Sequence, residues 1–325
     1  MMTNSVALWS QRIPQFDIAI DADQAEWAAI QFGISNIDEG IRDNVMGGEL
    51  RDPLEIESRA SNVADEVKRR KAVLGLEYPF KIKENSLEYR PSSNSVYEFC
   101  LSISFVPSLS TRFGKQFQIS FERLTRDVLK CYLGKTNVMS YRTGMPGDTV
   151  EKRPGRIKGI IDEISKMCRK SEWIWRPDDG FPKEPKWNEI GDLGMDVVAW
   201  REFEDQRCGH MFLLAQCACG LTDWDSKFDE PNYGRIKSWV GKISNVPFVK
   251  VFAIPFHIPN DPHFGEVTRQ VGGIVFDRAR LVMIANAHSA FILRSAPVTY
   301  LSLVNAAQDG HTVARSRWKK RRKKK

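Results

Sequence analysis

The chain has 325 residues, enough for one large domain or two modest ones, with 42% hydrophobic and 10% aromatic side chains. No apolar run reaches the roughly eighteen residues of a membrane span. The start, MMTNSVALWSQRIPQFDIAID, has neither the basic opening nor the apolar stretch of a signal peptide, so a cytoplasmic chain without a membrane partner is expected. The net charge of +7 points toward nucleic acid, but nine basic residues crowd into RSRWKKRRKKK at 315–325 and leave the rest close to neutral.

In chain order, DADQAEWAAIQFGISNIDEGI carries helical spacing, with Trp27, Ile30, Ile34 and Ile37 on one side. DPLEIESRASNVADEVKRRKAVLG reads as a charged helix stopping at Gly75. YPFKIKENSLEYRP reads as two short strands around a Lys-Glu-Asn-Ser turn, and SVYEFCLSISF as an apolar helix. The loop VPSLSTRFG marks a boundary, so residues 1–110 are expected to form a mainly helical accessory region.

From Lys115 onward helices and strands alternate. FQISFERLTRDVLKCYLG is an amphipathic helix with Phe117, Phe121, Leu124, Val128 and Leu129 as its stripe, and NVMSYRTG is strand-like. GRIKGIIDEISKMCRK is a further helix. After the Trp-, Pro- and Asp-rich loop SEWIWRPDDGFPKEPKWNEIGD come four short β-rich runs, MDVVAW, HMFLLAQCACG, FVKVFAIPFHIP and GIVFDRARLVMIA. Between the second and third, WDSKFDEPNYGRIKSWV is helical toward its end. This alternation predicts an α/β domain over 111–308 with helices on both sides of a central sheet. Residues 309–325 form a self-repelling basic arm. Its Arg315, Arg317, Lys319, Lys320, Arg321 and Arg322 suit phosphate contact, with a solubilising end or an import-like signal as the alternatives.

The six cysteines form no CxxC pair and read as reduced thiols, although Cys208, His210, Cys217 and Cys219 leave a zinc site open. A different grouping carries more chemistry. Metal-assisted phosphodiester hydrolysis needs oxygen ligands converging at one strand end, often with a lysine nearby. Asp196 opens one apolar run after a Gly-Asp-Leu-Gly turn, and Gln216, whose amide oxygen suits a hard metal, lies near the end of the next. Two residues on, where the strand period would aim a lysine into the same cavity, stands Ala218. Trp173, Trp175 and Trp187, among Arg176, Lys183 and Lys186, suit either base stacking or a hydrophobic lid. Asp277, Arg278 and Arg280 suit phosphate contact or a structural ion pair, and His257 and His263 flank a proline-rich loop.

The Phe121-Glu122 helix, the GDLGMDVVAW turn and strand, and the strand ending in Gln-x-x resemble the PD-(D/E)xK nuclease superfamily, closest to Mrr-like restriction endonucleases, over roughly 115–285. The resemblance implies a restriction-endonuclease-like mixed sheet and a Mg²⁺- or Mn²⁺-dependent endonuclease acting on DNA in restriction or anti-phage defence. By this likeness Glu122 is the helix-borne acid, Asp196 the central metal ligand and Gln216 the second-strand ligand, with the backbone carbonyl of Cys217 completing the shell. Lys227, in Asp-Trp-Asp-Ser-Lys, is the nearest relocated lysine, ahead of Lys237 and Lys242; Asp223 and Asp225 add negative charge. The rival expectation is a non-catalytic subunit on the same fold. A helicase, ATPase or sensor partner, or a homo-oligomer, is compatible with either.

Overall fold

The structure is a computed structural model and describes residues 5–37, 53–144, 151, 154–169, 172–176, 191–205, 207–241 and 248–310. Residues 311–325 of the basic arm, Trp187, Lys183, Lys186 and Lys242 lie outside the described residues, while 309 and 310, expected in the arm, close the last helix.

Helix α1 (Ser5–Phe32) is followed by strand β1 (Ile34–Asn36), helix α2 (Pro53–Leu74), strands β2 (Phe80–Lys83) and β3 (Ser86–Tyr89), and helix α3 (Val96–Ile103). The expected hairpin and the stop at Gly75 are present, and the hairpin turns through Glu84 at φ 48°. The helical stripe predicted through Ile34 and Ile37 is not continuous. Gly33, at φ 82°, ends α1, and the next three residues pair with β3, which leaves Ile34 exposed.

The second half carries α4 (Arg112–Tyr132), β4 (Val138–Arg142), α5 (Ile157–Met167), β5 (Ile174–Trp175), β6 (Val197–Arg201) and β7 (Phe212–Cys217). It continues through α6 (Tyr233–Trp239), β8 (Val240–Gly241), β9 (Val249–Ala253), α7 (Asp261–Val271), β10 (Ile274–Phe276), α8 (Arg278–Ala287) and α9 (Ser289–Ser295) to a last helix over 300–310. The strand expected over GIVFDRARLVMIA is short. Asp277 accepts from the Arg280 amide and caps α8, so Leu281–Ala285 are helical. Helix α7, started by Asn260, was not legible in the sequence.

Five strands form a mixed sheet in the order β10-β9-β7-β6-β4. Strands β4, β6 and β7 are antiparallel neighbours, whereas β9 runs parallel to β7 and β10 parallel to β9. The period-two alternation sorts side chains between faces. Val197, Ala199, Leu213 and Ala215 join α4 and α8, while Val198, Trp200, Phe212 and Leu214 join α5 and α6. Valine, alanine and leucine on both faces explain why β6 and β7 read as continuous apolar runs.

The α4 side of the sheet and the N-terminal helices share one apolar cluster, reaching from Trp27 through Phe99, Phe121 and Ala215 to Val304. A polar network crosses the same junction. Arg278 donates to both oxygens of Asp23 at 2.8 and 2.7 Å, and Arg70 donates to Asp23 at 2.7 Å. Tyr78 and Tyr97 donate to the two oxygens of Glu26 at 2.6 and 2.8 Å. Burial would raise the Asp23 carboxyl, but Arg278 and Arg70 hold it below its ordinary value, whereas burial leaves Glu26 raised. Among the described residues no helix is long and apolar enough to cross a membrane.

Candidate functional site

The site forms where α4, the end of β4 and the facing ends of β6 and β7 meet. Helix α4 begins at Thr111, whose side chain accepts from the Gly114 amide. Its stripe of Phe117, Phe121, Leu124 and Val128 is fully buried, and that packing turns the neighbouring Glu122 inward to 4% exposure.

Asp196 stands just before β6. Its amide donates to Ala215 O at 2.8 Å, and its carbonyl accepts from Thr143 and Gly144 at 2.7 and 3.0 Å. These bonds extend the sheet by one residue and fix the backbone from both sides. The register Val197↔Ala215, continued one step, sets Asp196 opposite Gln216. The Cys217 amide donates to Asp196 Oδ2 at 2.7 Å, so it is this N–H that Cys217 presents to the carboxylate.

Gly144 brings the acids together. A methyl group added there would come within 2.5 Å of Asp196 Oδ1 and 2.6 Å of Glu122 Oε1. Those two oxygens are therefore about 5 Å apart at most, a gap one cation with ligand distances of about 2.0–2.6 Å can span. Loss of hydration raises Asp196 well above the usual carboxylate range, with Glu122 and Asp192 adding repulsion; the Cys217 bond and Lys227 oppose the rise. Gln216 is 4% exposed and its Oε1 has no hydrogen-bond partner, a costly arrangement for a buried amide oxygen. Two carboxylates and an orphaned amide oxygen are the hard donor set that Mg²⁺ or Mn²⁺ prefers.

Glu122 is held from its other side. Arg142, at the end of β4, donates from Nη1 to Glu122 Oε2 at 2.7 Å and from Nε to Glu151 Oε2 at 2.9 Å. Neither Arg142 nor Gly144 stands out in YRTG as sequence; only the pairing of β4 with β6 brings them beside Asp196.

Ala218 is fully buried among Trp224, Phe252 and Ile254, so apolar packing fills the position where a lysine was looked for. Lys227 ends the short 3-10 turn Trp224–Lys227, which buried Trp224 anchors against Phe228 and Phe252. Burial holds the Asp196 carboxyl and the Cys219 thiol well above their ordinary values, and the Lys227 charge opposes that rise at both. Lys237 lies over the Tyr233 ring instead, 5.5 Å from its centroid. Asp223 is turned toward Gly220, and Asp225 sits in the first turn of the same 3-10 element.

The zinc grouping does not assemble. Cys208 is exposed, Cys217 and Cys219 are buried, and His210 Nδ1 bonds Glu172 Oε2 at 2.5 Å. Among the described residues no three His, Cys, Asp or Glu side chains are arranged to hold a metal. Trp173 is buried against Phe212, and Trp175 stacks on Trp239 at 5.5 Å, which is lid packing. Arg278 is the structural ion pair with Asp23 described above, Arg280 lies over the Phe264 ring, and His263 bonds its own helix cap, Asn260. Comparison of the chain with protein-family models, curated proteins and solved structures gave no match.

Proposed function

We propose that the chain is a metal-dependent nuclease that hydrolyses DNA phosphodiester bonds, with its centre at Glu122, Asp196 and Gln216. The observation that carries this reading is the meeting of the Glu122 and Asp196 carboxylates across Gly144, with Gln216, whose buried Oε1 is unpartnered, opposite Asp196 in register. The antiparallel trio β4, β6 and β7, with α5 and β5 intervening between β4 and β6, and the parallel β9 after α6 support it, since they set an acid on α4, one before β6 and an amide on β7. A role in restriction or anti-phage defence follows only from the resemblance.

Glu122, Asp196 and Gln216 Oε1 would hold Mg²⁺ or Mn²⁺, which supplies Lewis-acid activation of the phosphodiester. Arg142 keeps the Glu122 carboxylate in place, and the Cys217 amide does the same for Asp196. Lys227 Nζ is the group that orients the attacking water or takes its proton. The basic arm adds sequence-independent affinity through release of counterions.

A second reading, a nucleic-acid-binding subunit without catalysis, is favoured by one observation: Ala218 is packed into an apolar cluster. Plasmid and linear DNA incubated with Mg²⁺ or Mn²⁺ separate the two. The nuclease reading expects cleavage by the wild type and none by Asp196→Ala or Lys227→Ala. Cleavage that survives Lys227→Ala rejects that lysine alone. DNA binding without cleavage under every metal condition overturns the proposal in favour of the binding subunit.

A further inference from the structure

The small N-terminal sheet ends on an edge with no strand beyond it among the described residues. Its order is β1-β3-β2, so β2 has a neighbour on one side only. The register shows which backbone groups are left over. Arg90 donates to Pro79 O at 2.8 Å, and Tyr89 donates to Gly33 O at 2.9 Å. Pro79 therefore faces β3 and Tyr89 faces β1, so Phe80, paired with Tyr89, turns its N–H and C=O outward. Ile82, two residues on and paired with Leu87, does the same. Two donors and two acceptors at the two-residue spacing are the groups that a further strand pairs with.

This edge is the floor of a groove of about 650 Å³, within the range of about 300–1,000 Å³ usual for ligand sites. One wall is the end of α2 and the turn after it, with Lys71, Leu76 and Glu77, and the other is segment 90–93. Leu76 is 97% exposed, an apolar side chain with nothing packed on it. Two cations here have no acid. Lys71 Nζ donates to Gly75 O at 2.7 Å, a neutral carbonyl. Lys81 stands opposite Glu88 in the ladder, but Glu88 pairs with Lys83 at 2.5 Å and Arg90 at 3.4 Å, and Lys81 forms no ion pair among the described residues. Glu77 is the one carboxylate lining the groove; Glu98 lies behind it, held by the Ser92 amide and hydroxyl at 2.7 and 2.6 Å. Lysines on a short edge repel a second copy of the same edge, whereas an acidic strand meets them with opposite charge.

We propose that the β2 edge is a docking site for an extended acidic segment of a partner protein, which adds to the small sheet as a fourth strand. Its backbone pairs with Phe80 and Ile82, its acids lie toward Lys81 and Lys71, and an apolar side chain covers Leu76. The inference does not rest on the nuclease reading. An edge that is only guarded against pairing makes the opposite prediction, since it takes no strand of either charge.

The probe is a fluorescein-labelled peptide of alternating valine and glutamate, titrated with the full-length chain at physiological salt and read by anisotropy. The wild type is expected to bind it saturably, and hydrogen exchange of the Phe80 and Ile82 amides should slow in the complex. Alternate amides of a strand face opposite edges. N-methylation of one alternate set should therefore weaken binding about twentyfold, two backbone bonds at roughly fivefold each, and N-methylation of the other set should leave it unchanged. Lys81→Glu, at an exposed position, should weaken binding about fivefold. The basic arm also attracts an acidic peptide, but binding there is indifferent to N-methylation and to residue 81, and leaves the Phe80 and Ile82 amides unprotected. No saturable binding, or binding with that indifferent pattern, overturns the proposal. Equal binding of a peptide with lysine in place of glutamate also overturns it, because an acid is then not what the edge selects. DNA cleavage enters none of these readouts, so the nuclease reading and the docking site stand or fall separately.

Discussion

Gly144 is the residue on which the candidate site depends most directly, because two carboxylates occupy the space its missing side chain leaves. Gly144→Ala should push Asp196 or Glu122 out of place by a large fraction of an ångström. Displacements near 1 Å at a reacting centre can cost about a hundredfold in rate, so DNA cleavage should fall by about that factor. Thermal stability should change little, since the methyl group meets flexible carboxylate ends and not packed core. A variant that cleaves normally would show that the two acids need not approach across this glycine. Asp196 was readable as a candidate because an acid after a turn and before an apolar run is a local pattern. Its partner Glu122 came from the resemblance and not from the helical stripe beside it. Arg142 and Glu151 had no such signal, because their meaning arises only when β4 lies next to β6 and Arg142, twenty residues from Glu122, bonds both Glu122 and Glu151.

At the scale of elements, turns and caps were legible where one residue dictates the backbone. Gly75, and the Glu84-Asn85 turn between β2 and β3, are examples. Elements were misread where helix and strand share a vocabulary. LVMIA suits either, and only the Asp277 side chain bonded to the Arg280 amide settles it as the start of α8. Likewise Ile34 fits the helical period of α1 but lies past a left-handed glycine. Caps therefore decide element geometry here, and α4, which carries Glu122, offers the clearest test. Thr111→Ala removes the bond to the Gly114 amide and should cost about 1 kcal/mol in urea unfolding. Cleavage per folded molecule should be unchanged, because the buried Phe117–Val128 stripe still fixes the position of the helix. Loss of activity in folded Thr111→Ala would mean that the N-terminus of α4, and not its stripe, aims Glu122.

At the scale of the whole molecule, the N-terminal helices are joined to the sheet by charge as well as by apolar packing. Arg278→Met removes the guanidinium that binds both oxygens of Asp23 and leaves that buried acid with Arg70 alone among its arginine donors, which should cost about 3–5 kcal/mol. His257 tests the same junction by pH. Both its ring nitrogens lack hydrogen-bond partners; Nε2 is 3.9 Å from Glu66 on α2 and Nδ1 is 3.7 Å from Asp277 at the cap of α8. Burial, with the nearby charges of Arg70, Arg69 and Arg278, pushes its pKa well below 6.5. A base with a depressed folded pKa leaves stability untouched above 6.5 and removes it as pH falls, because the unfolded chain takes the proton first. Wild type should therefore lose stability between about pH 7 and pH 5 through this group, and His257→Phe, which has no proton to gain, should not lose that component. The difference between their urea midpoints should shift with pH in favour of the variant as the solution becomes acidic. A difference that stays constant across the range would mean that His257 does gain its proton in the folded chain, bridging Glu66 and Asp277 instead of standing neutral between them.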